Sequence, residues 1–159
     1  MNIVVREAGD GDAALIAGLT RVAWAGKVAA SSSGHHETAE QVARALRSGG
    51  GFILLIDDMP AGSLRFMPLD SEPAIWEISR MGILPAWRGN HCSQHLLEAV
   101  IHHALSCQAE ELRLAVRLDQ GKLIDFYAAF GFELAEELEY SHANPAEPPP
   151  SVMRRMLRY

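Results

Sequence analysis

The chain has 159 residues, of which 48% are hydrophobic and 21% are charged, and its formal net charge is −6 at neutral pH. This composition predicts one globular domain with one core over residues 1–159, and no apolar run approaches the roughly 20 residues that a membrane span needs. The acidic balance excludes a general nucleic-acid binder, because such proteins need a basic surface to displace counterions from phosphates.

The N-terminus and the cysteines predict an intracellular protein. The chain reaches Arg6, Glu7 and Asp10 without the basic and apolar regions of a signal peptide, so we expect a cytoplasmic location. Cys92 and Cys107 are then expected to be reduced thiols. If they share one helix they lie roughly 22 Å apart, which excludes a disulfide between them.

The first predicted elements are a strand over residues 3–6 and a helix whose N-cap is Asp12. Residues 27–38 contain a Ser-Ser-Ser-Gly run that predicts a flexible turn, and a second helix over residues 37–47 follows it. The run of glycines at residues 49–51 is expected to stop this helix.

The middle of the chain predicts a hairpin and the longest helix. Residues 52–57 and 63–69 are two strands around a tight turn at residues 58–62. A strand over residues 74–84 comes next, and the helix that follows, over residues 92–106, has its apolar residues on one side at helical spacing.

Strands and turns dominate the last part of the chain. Alternating apolar residues predict a fifth strand over residues 112–118, and the next helix ends at Gly131. Residues 133–140 and 152–157 are a sixth and a seventh strand. The proline-rich residues 144–150 predict a stiff surface loop, with a polyproline ligand as the less favoured interpretation.

The most informative stretch lies where the predicted strand 74–84 leads into the helix 92–106 through Pro85 and the pair Arg88-Gly89. The first N–H groups of a helix lack intrahelical partners and lie at the positive end of its dipole. A loop that enters a helix in this way can therefore hold a pyrophosphate. Arg88 is expected to add a permanent positive charge beside it.

This stretch resembles the acyl-CoA-binding motif of the GNAT (GCN5-related) N-acetyltransferases, Q/R-x-x-G-x-G/A, which follows a strand that ends in a hydrophobic residue and proline. Arg88 fills the first position. His91 stands where the family prefers glycine, and Ser93 stands where it prefers glycine or alanine.

A second stretch resembles the family signature N-x-x-A-x-x-F/L-Y-x-x-x-G-F. The residues that fit it are Phe126, Tyr127, Gly131 and Phe132. Gln120 replaces the usual asparagine and Leu123 the usual alanine. The resemblance spans essentially the whole chain and implies an α/β (α+β) fold, in which a central mixed, mostly antiparallel sheet of six to seven strands is flanked by about four helices.

The resemblance also implies acetyl-CoA as co-substrate. Backbone amides of the turn are expected to hold its pyrophosphate, and main-chain groups of the preceding strand are expected to pair with its pantetheine arm. Residues 27–38 lie over the acceptor site in this fold. The implied cofactor contacts are Met81, Ile83, Arg88, Gly89, Asn90, His91, Cys92, Ser93, Gln120 and Tyr127.

Tyr127 and Glu77 are the candidate catalytic residues. Tyr127 occupies the position whose hydroxyl protonates the departing CoA thiolate in many GNAT enzymes; its alternative role is core packing. Glu77 precedes Ile83 by six residues, where the histone-acetyltransferase branch places its general base; the alternative is an exposed carboxylate at a strand end. Regular alternation would point Glu77, Ser79, Met81 and Ile83 the same way.

Three further sets of residues have a structural and a functional interpretation. One helical face, which we expect to be a solvated polar face rather than a metal site, carries His91, His95, Glu98 and His102. Cys92 is expected to be a small buried side chain rather than a reactive thiol. The aromatic residues that would line an acceptor pocket, if they are not core, are Trp24, Phe66 and Trp76.

The function implied by the resemblance is transfer of an acetyl group from acetyl-CoA to a primary amine of a small molecule, peptide or protein, by direct attack in a ternary complex. The alternative is a GNAT-fold acyl-CoA-binding or regulatory protein without efficient catalysis. His91 favours it, because a side chain where the family has glycine narrows the approach to a diphosphate. We expect no nucleic-acid, membrane or metal partner, and a homodimer is left open.

Overall fold

The computed structural model describes residues 1–25, 36–89, 91–141 and 145–157, with the backbone alone for Asp119. The strands within these ranges are β1 (Ile3–Glu7), β2 (Gly50–Ile56), β3 (Met59–Pro68), β4 (Ile75–Ile83), β5 (Glu111–Val116), β6 (Glu133–Leu134) and β7 (Ser151–Met156). The α-helices are α1 (Ala13–Trp24), α2 (Ala39–Ser48), α3 (Cys92–Ser106) and α4 (Lys122–Ala128).

The seven strands form one sheet in the order β1-β2-β3-β4-β5-β7-β6. β4 and β5 are parallel, because α3 carries the chain back across the sheet between them, and the other neighbouring pairs are antiparallel. The predicted fold class is therefore confirmed.

Helices cover both faces of the sheet. α3 and α4 pack on one face, where α3 buries Leu96, Leu97 and Val100 completely against the strands. α1 and α2 pack on the other face around Ile16 and Ile53, which are also fully buried. The predicted bounds of α3, residues 92–106, are confirmed because its apolar periodicity is uninterrupted.

The first helix begins as predicted and the second does not. Asp12 is the N-cap residue of α1, but its carboxylate accepts hydrogen bonds from Arg6 and from the Gly9 amide rather than from the helix, and these bonds lower its pKa to about 2. α2 begins two residues later than predicted because Thr38 and Gln41 form a capping box, in which each side chain accepts a hydrogen bond from the other's backbone amide.

The hairpin turn is shorter than predicted. It consists of Asp57 and Asp58, both with positive φ (49° and 67°), and β3 already begins at Met59. Two consecutive residues with positive φ match the twist of the paired strands, which accounts for the short connection. Pro60 is accommodated at a shift of register between Leu54 and Leu55 of β2. The expected turn at residues 58–62 is therefore wrong.

Two other boundaries also change. Gly49 ends α2, but the next two glycines belong to β2; a Cβ at Gly50 would lie 2.5 Å from the ring of Phe66. The sixth strand, predicted over residues 133–140, is only two residues long. The chain after it instead brings Ser141 to Glu77 of β4, where the serine hydroxyl donates a hydrogen bond to the carboxylate.

Candidate active site

The candidate site lies where the centre of the sheet divides. β4 and β5 are in register over three residue pairs, from Ile75 with Glu111 to Glu77 with Arg113. A cavity of about 960 Å³ lies between β4 and β5 beyond these pairs. It is lined by residues of the two strands, α4, the turn before α3 and the proline-rich loop. A cavity of this size at the division of a sheet is suited to a small-molecule ligand.

A β-bulge at Arg80 divides β4 into two parts. Ser79 pairs with Arg65 of β3, whereas Gly82 pairs with Ser63, so β4 advances three residues while β3 advances two. The extra residue, Arg80, has φ 56°. A single inserted residue exchanges the faces to which the following side chains point.

The expected alignment of Glu77, Ser79, Met81 and Ile83 on one face is therefore wrong. Ile83 belongs to the core on the α3 side, and Met81 packs against that core. Gly82 faces α1 instead, where an added Cβ would lie 2.7 Å from the ring of Trp24. Glu77 and Ile83 thus lie on opposite faces of the sheet and meet only through the cavity between β4 and β5.

The predicted anion-binding turn has the backbone geometry that such a site requires. A 3₁₀ turn at Pro85–Trp87 is followed by Gly89 with φ 86° and by His91 with φ 57°, and α3 begins at the next residue. His91 therefore adopts the left-handed conformation that favours glycine, which explains why the family prefers glycine there. Its side chain is exposed.

Arg88 does not direct its charge as predicted. Its Nη2 donates to the carbonyl of Ala23 at the end of α1 (2.7 Å), and its Nε donates to the carbonyl of Ile83 (3.2 Å). The guanidinium therefore ties the end of β4 to α1. The backbone amides at the start of α3 and the positive end of its dipole have the chemistry that attracts a diphosphate.

Cys92 and Ser93 form the first turn of α3. Cys92 is 3% exposed, and its Sγ lies 3.5 Å from the Trp87 carbonyl, which confirms the expected small buried side chain. Burial also raises the pKa of the Cys92 thiol, so it is not an activated nucleophile. Ser93 is half-buried and lines the cavity.

Tyr127 lies on the α3 side of the cavity. It is 7% exposed, and its ring is packed edge-on against those of Phe126 and Phe132. Burial raises the pKa of its hydroxyl to about 12, so the group stays protonated at neutral pH. Tyr127 therefore packs in the core and also lines the cavity.

Glu77 lies on the opposite side of the cavity and is 4% exposed, so the alternative of an exposed strand-end carboxylate is wrong. Its two oxygens accept hydrogen bonds from the hydroxyl and the amide of Ser141. Tyr140 is next to it, with a hydrogen bond to the side chain of Ser79. Burial, and secondarily the charge of Glu77, raise the pKa of Tyr140 to about 12.

The sequence analysis missed a charged cluster on this side of the cavity. Arg65 and Glu37 are 4% and 8% exposed and form a bidentate ion pair. Arg80 has its Nε 3.8 Å from the same Glu37 carboxylate, and Arg117 contacts Glu147 at 2.5 Å. The sequence signal was the pair of arginines inside otherwise apolar strands, at residues 65 and 80.

The remaining predicted residues divide into three groups. The predicted cofactor contacts that line the cavity are Met81, Ile83, Arg88, Gly89, His91, Cys92, Ser93, Gln120 and Tyr127. Asn90 and residues 27–35 of the predicted acceptor-site segment lie outside the described residues. Phe66 and Trp76 stack in the core at 4.8 Å between ring centroids, and Phe66 and Trp24 also line the cavity.

Within the described ranges, no three histidine, cysteine or carboxylate side chains come together as a metal site would require. On α3, Glu98 instead accepts a hydrogen bond from Gln94 at 3.0 Å and is exposed. The helices in these ranges also include none long and apolar enough to cross a membrane.

A mixed sheet that divides at its centre, with a helix N-terminus beside the opening, is the architecture of an acyl-CoA N-acyltransferase. The sequence model of the acetyltransferase (GNAT) family matches residues 19–132, which is most of the chain. The protein belongs to the GNAT acetyltransferase family, as the two motifs predicted. No curated protein sequence matches the chain.

Solved structures of the family share this fold at low sequence identity. A GNAT-family acetyltransferase from Streptococcus pneumoniae has TM-score 0.76 and 20% identity, over 99% of this chain and all of that one. The PaiA N-acetyltransferase of Thermoplasma acidophilum, in complex with coenzyme A, has TM-score 0.78 and 15% identity over 99% and 100%. YncA, a putative acetyltransferase from Salmonella typhimurium with acetyl-CoA, has TM-score 0.76 and 18% identity over 100% and 96%.

Proposed function

We propose that the protein transfers an acetyl group from acetyl-CoA to a primary amine by direct attack within a ternary complex. The observation that carries this proposal is one cavity with Tyr127 and the start of α3 on one face of the sheet and Glu77 on the other. Such a cavity lets a thioester and an amine approach each other through the gap between β4 and β5. The acceptor is a small molecule or a peptide or protein amine.

The cofactor end would work mainly through main-chain groups. The amides at the start of α3 and the helix dipole attract the diphosphate, and the left-handed residues Gly89 and His91 direct the backbone toward it. The edge of β4 that faces the gap offers backbone groups near Met81 and Ile83 to the pantetheine arm. The PaiA structure with coenzyme A and the YncA structure with acetyl-CoA, which share the fold, support this placement.

Tyr127 would act as the general acid. When the neutral amine nitrogen bonds to the thioester carbon, the carbon–sulfur bond breaks, the sulfur leaves as a thiolate, and the nitrogen releases its remaining extra proton to solvent to become the amide. Tyr127 can give its phenolic proton to that sulfur and take one back from solvent after product release. Burial raises the pKa of its hydroxyl to about 12, so the phenol is protonated at neutral pH.

Glu77 would act as the general base that takes a proton from the incoming ammonium group. Its carboxylate is buried at the cavity wall and is held by Ser141, so its position is fixed before the acceptor binds. Replacement by glutamine preserves the shape and the bonds to Ser141 but removes the base. We expect Glu77→Gln to lower kcat by about 10²-fold.

The pH profile separates a base from a structural role for Glu77. Activity that needs an ionised carboxylate is lost at low pH, and this acid limb of the profile should disappear in Glu77→Gln. Ser141→Ala, which removes the hydroxyl donor but keeps the carboxylate, is the matched control and should keep the limb. An unaltered acid limb in Glu77→Gln removes Glu77 from the mechanism.

The second candidate function is acyl-CoA binding without efficient catalysis. It is favoured by His91, whose Cβ and ring occupy the position of the family glycine in the left-handed conformation. The two functions share the cofactor end and differ in turnover, so a cofactor-binding assay followed by a thiol-release assay distinguishes them.

Binding of acetyl-CoA is the first measurement. A ligand at a hundredfold excess over its Kd stabilises the folded state by about 2.7 kcal/mol, so the Tm should rise by several degrees. Release of the CoA thiol is then followed over a panel of amines. A thermal shift without thiol release from any amine supports the binding protein, and no shift with any acyl-CoA contradicts both functions. Homodimer formation and a cytoplasmic location are further predictions.

A further inference from the structure

The base of the proposed reaction is buried and needs a route by which its proton can leave. Glu77 is 4% exposed and lines the cavity that the acetyl donor and the acceptor would fill. Each transfer leaves one proton on its carboxyl group, and that proton must reach bulk water before the next turnover. A carboxyl group enclosed in this way exchanges its proton through a hydrogen-bonding group beside it.

Ser141 connects this buried carboxylate to the surface of the protein. Its hydroxyl donates a hydrogen bond to Oε1 of Glu77, and its amide nitrogen lies 3.4 Å from Oε2. Ser141 itself is exposed. A serine hydroxyl both donates and accepts hydrogen bonds, and it rotates to suit its partners. It can therefore accept a proton from one neighbour and release its own proton to another.

The other polar groups around Glu77 are less suited to carry its proton. Tyr140 is half-buried, its side chain is hydrogen-bonded to that of Ser79, and burial above all raises the pKa of its hydroxyl to about 12. The cations on this side of the cavity are arginines, which have no acceptor atom and stay protonated at neutral pH. Ser141 combines a hydrogen bond to the carboxylate with exposure to solvent.

We propose that Ser141 relays the proton from Glu77 to bulk water after each transfer. The carboxyl O–H bond breaks as its proton passes to Oγ of Ser141, and the original hydroxyl proton of Ser141 passes to a water molecule, which becomes hydronium. Glu77 is then ionised again, and the serine hydroxyl turns back to donate to Oε1, as it does in the structure. The relay rests on the proposed acetyl transfer and on Glu77 as its base.

The first test removes the hydroxyl of Ser141 and then restores it. Thiol release is measured with the fastest acceptor among 2-phenylethylamine, L-lysine, spermidine and the tripeptide glycyl-lysyl-glycine. Ser141→Ala should lower kcat by about 10-fold and keep the acid limb of the pH profile, because Glu77 remains the base. Ser141→Thr, which keeps a hydroxyl, should stay within about 3-fold of the unaltered protein. An unchanged kcat in Ser141→Ala overturns the proposal.

The second test separates a relay from a structural role. At constant pH and ionic strength, imidazole should restore the kcat of Ser141→Ala, because a small buffer can take the proton from Glu77 directly. It should not change the unaltered protein or Ser106→Ala, the matched control, whose exposed hydroxyl donates to the His102 carbonyl (3.0 Å) outside the cavity wall. A loss that imidazole does not restore overturns the proposal, as does a larger restoration in Tyr140→Phe than in Ser141→Ala.

The same measurements distinguish failure of the relay from failure of the proposed function. If none of the four amines releases the CoA thiol, the proposed acetyl transfer fails and the relay fails with it. If thiol is released but the acid limb is unaltered in Glu77→Gln, Glu77 is not the base, and the relay is overturned while acetyl transfer stands. If the limb disappears in Glu77→Gln and Ser141→Ala behaves as the unaltered protein does, only the relay is overturned.

Discussion

The two ends of the cavity are built from different parts of the polypeptide. The cofactor end consists mostly of backbone, with a 3₁₀ turn, left-handed residues at Gly89 and His91, and the start of α3. The acceptor end consists of charged side chains from separate segments, among them Glu37, Arg65 and Glu77. Backbone sites tolerate many side chains, whereas sites made of paired charges do not. The following variants test this contrast.

The largest effect is expected for Tyr127→Phe. Tyr127 is the one residue on the cofactor side to which we assign a catalytic side-chain function. Loss of a general acid lowers kcat by about 10²–10⁴-fold. Phenylalanine keeps the packing against Phe126 and Phe132, so the Tm and its shift with acetyl-CoA should not change. Thiol-release kinetics and thermal shift measure the two properties, and unchanged turnover would leave Tyr127 with core packing alone.

At the acceptor end, Glu37→Ala should destabilise the fold. It leaves Arg65, which is 4% exposed, as a buried charge without its partner. Breaking a buried ion pair from one side costs about 3–5 kcal/mol. Denaturant unfolding measures the loss, and Glu40→Ala, an exposed residue of α2, is the control. A loss as small as that of the control would contradict the contrast between the two ends.

At the cofactor end, Arg88→Gln should affect stability more than binding. The guanidinium donates to the carbonyls of Ala23 and Ile83, and a hydrogen bond to a charged group contributes about 1.5–3 kcal/mol. Unfolding should therefore become easier, while the Kd for acetyl-CoA, measured by calorimetry, should stay within about 3-fold if backbone amides dominate binding. A much weaker Kd would show that Arg88 contributes its charge to the cofactor after all.

The smallest effect is expected for His91→Gly. Glycine removes the cost of holding a side chain at φ 57°, a gain in stability of about 1 kcal/mol. The Tm should rise, and a lower Tm would contradict the left-handed backbone at this position. The change in acetyl-CoA affinity then decides the role of the imidazole: binding tightens if the ring obstructs the turn and weakens if the ring donates to the diphosphate.

The sequence predicted the cofactor end better than the acceptor end, for a physical reason. Local patterns specify backbone: the apolar spacing of α3 fixed its bounds, and Pro85 with Gly89 marked the turn. Glu77 was found through its position relative to Ile83, but its burial depends on Ser141, 64 residues later in the chain. Pairs as distant as Arg65 with Glu37 leave no local periodicity.

The bulge left a signal in the sequence that the analysis missed. Trp76 and Ile78 are apolar at alternate positions, but the next apolar residues are Met81 and Ile83, so the alternation shifts by one residue at Arg80. Pairing with β3 shows that this shift is one inserted residue. An uninterrupted alternation was assumed, and it gave the wrong face to the second half of the strand.

The bulge also makes β4 a strand with two independent halves. In the proposed function, the residues before Arg80 serve the acceptor and those after it serve the cofactor, while Ile83 also packs in the α3-side core. Substitutions at residues 77–80 can therefore change what the protein acetylates without altering how it holds the acetyl donor. Deleting Arg80 would let β3 and β4 both advance two residues, so the bulge would disappear while Met81 and Ile83 stayed on the α3 side.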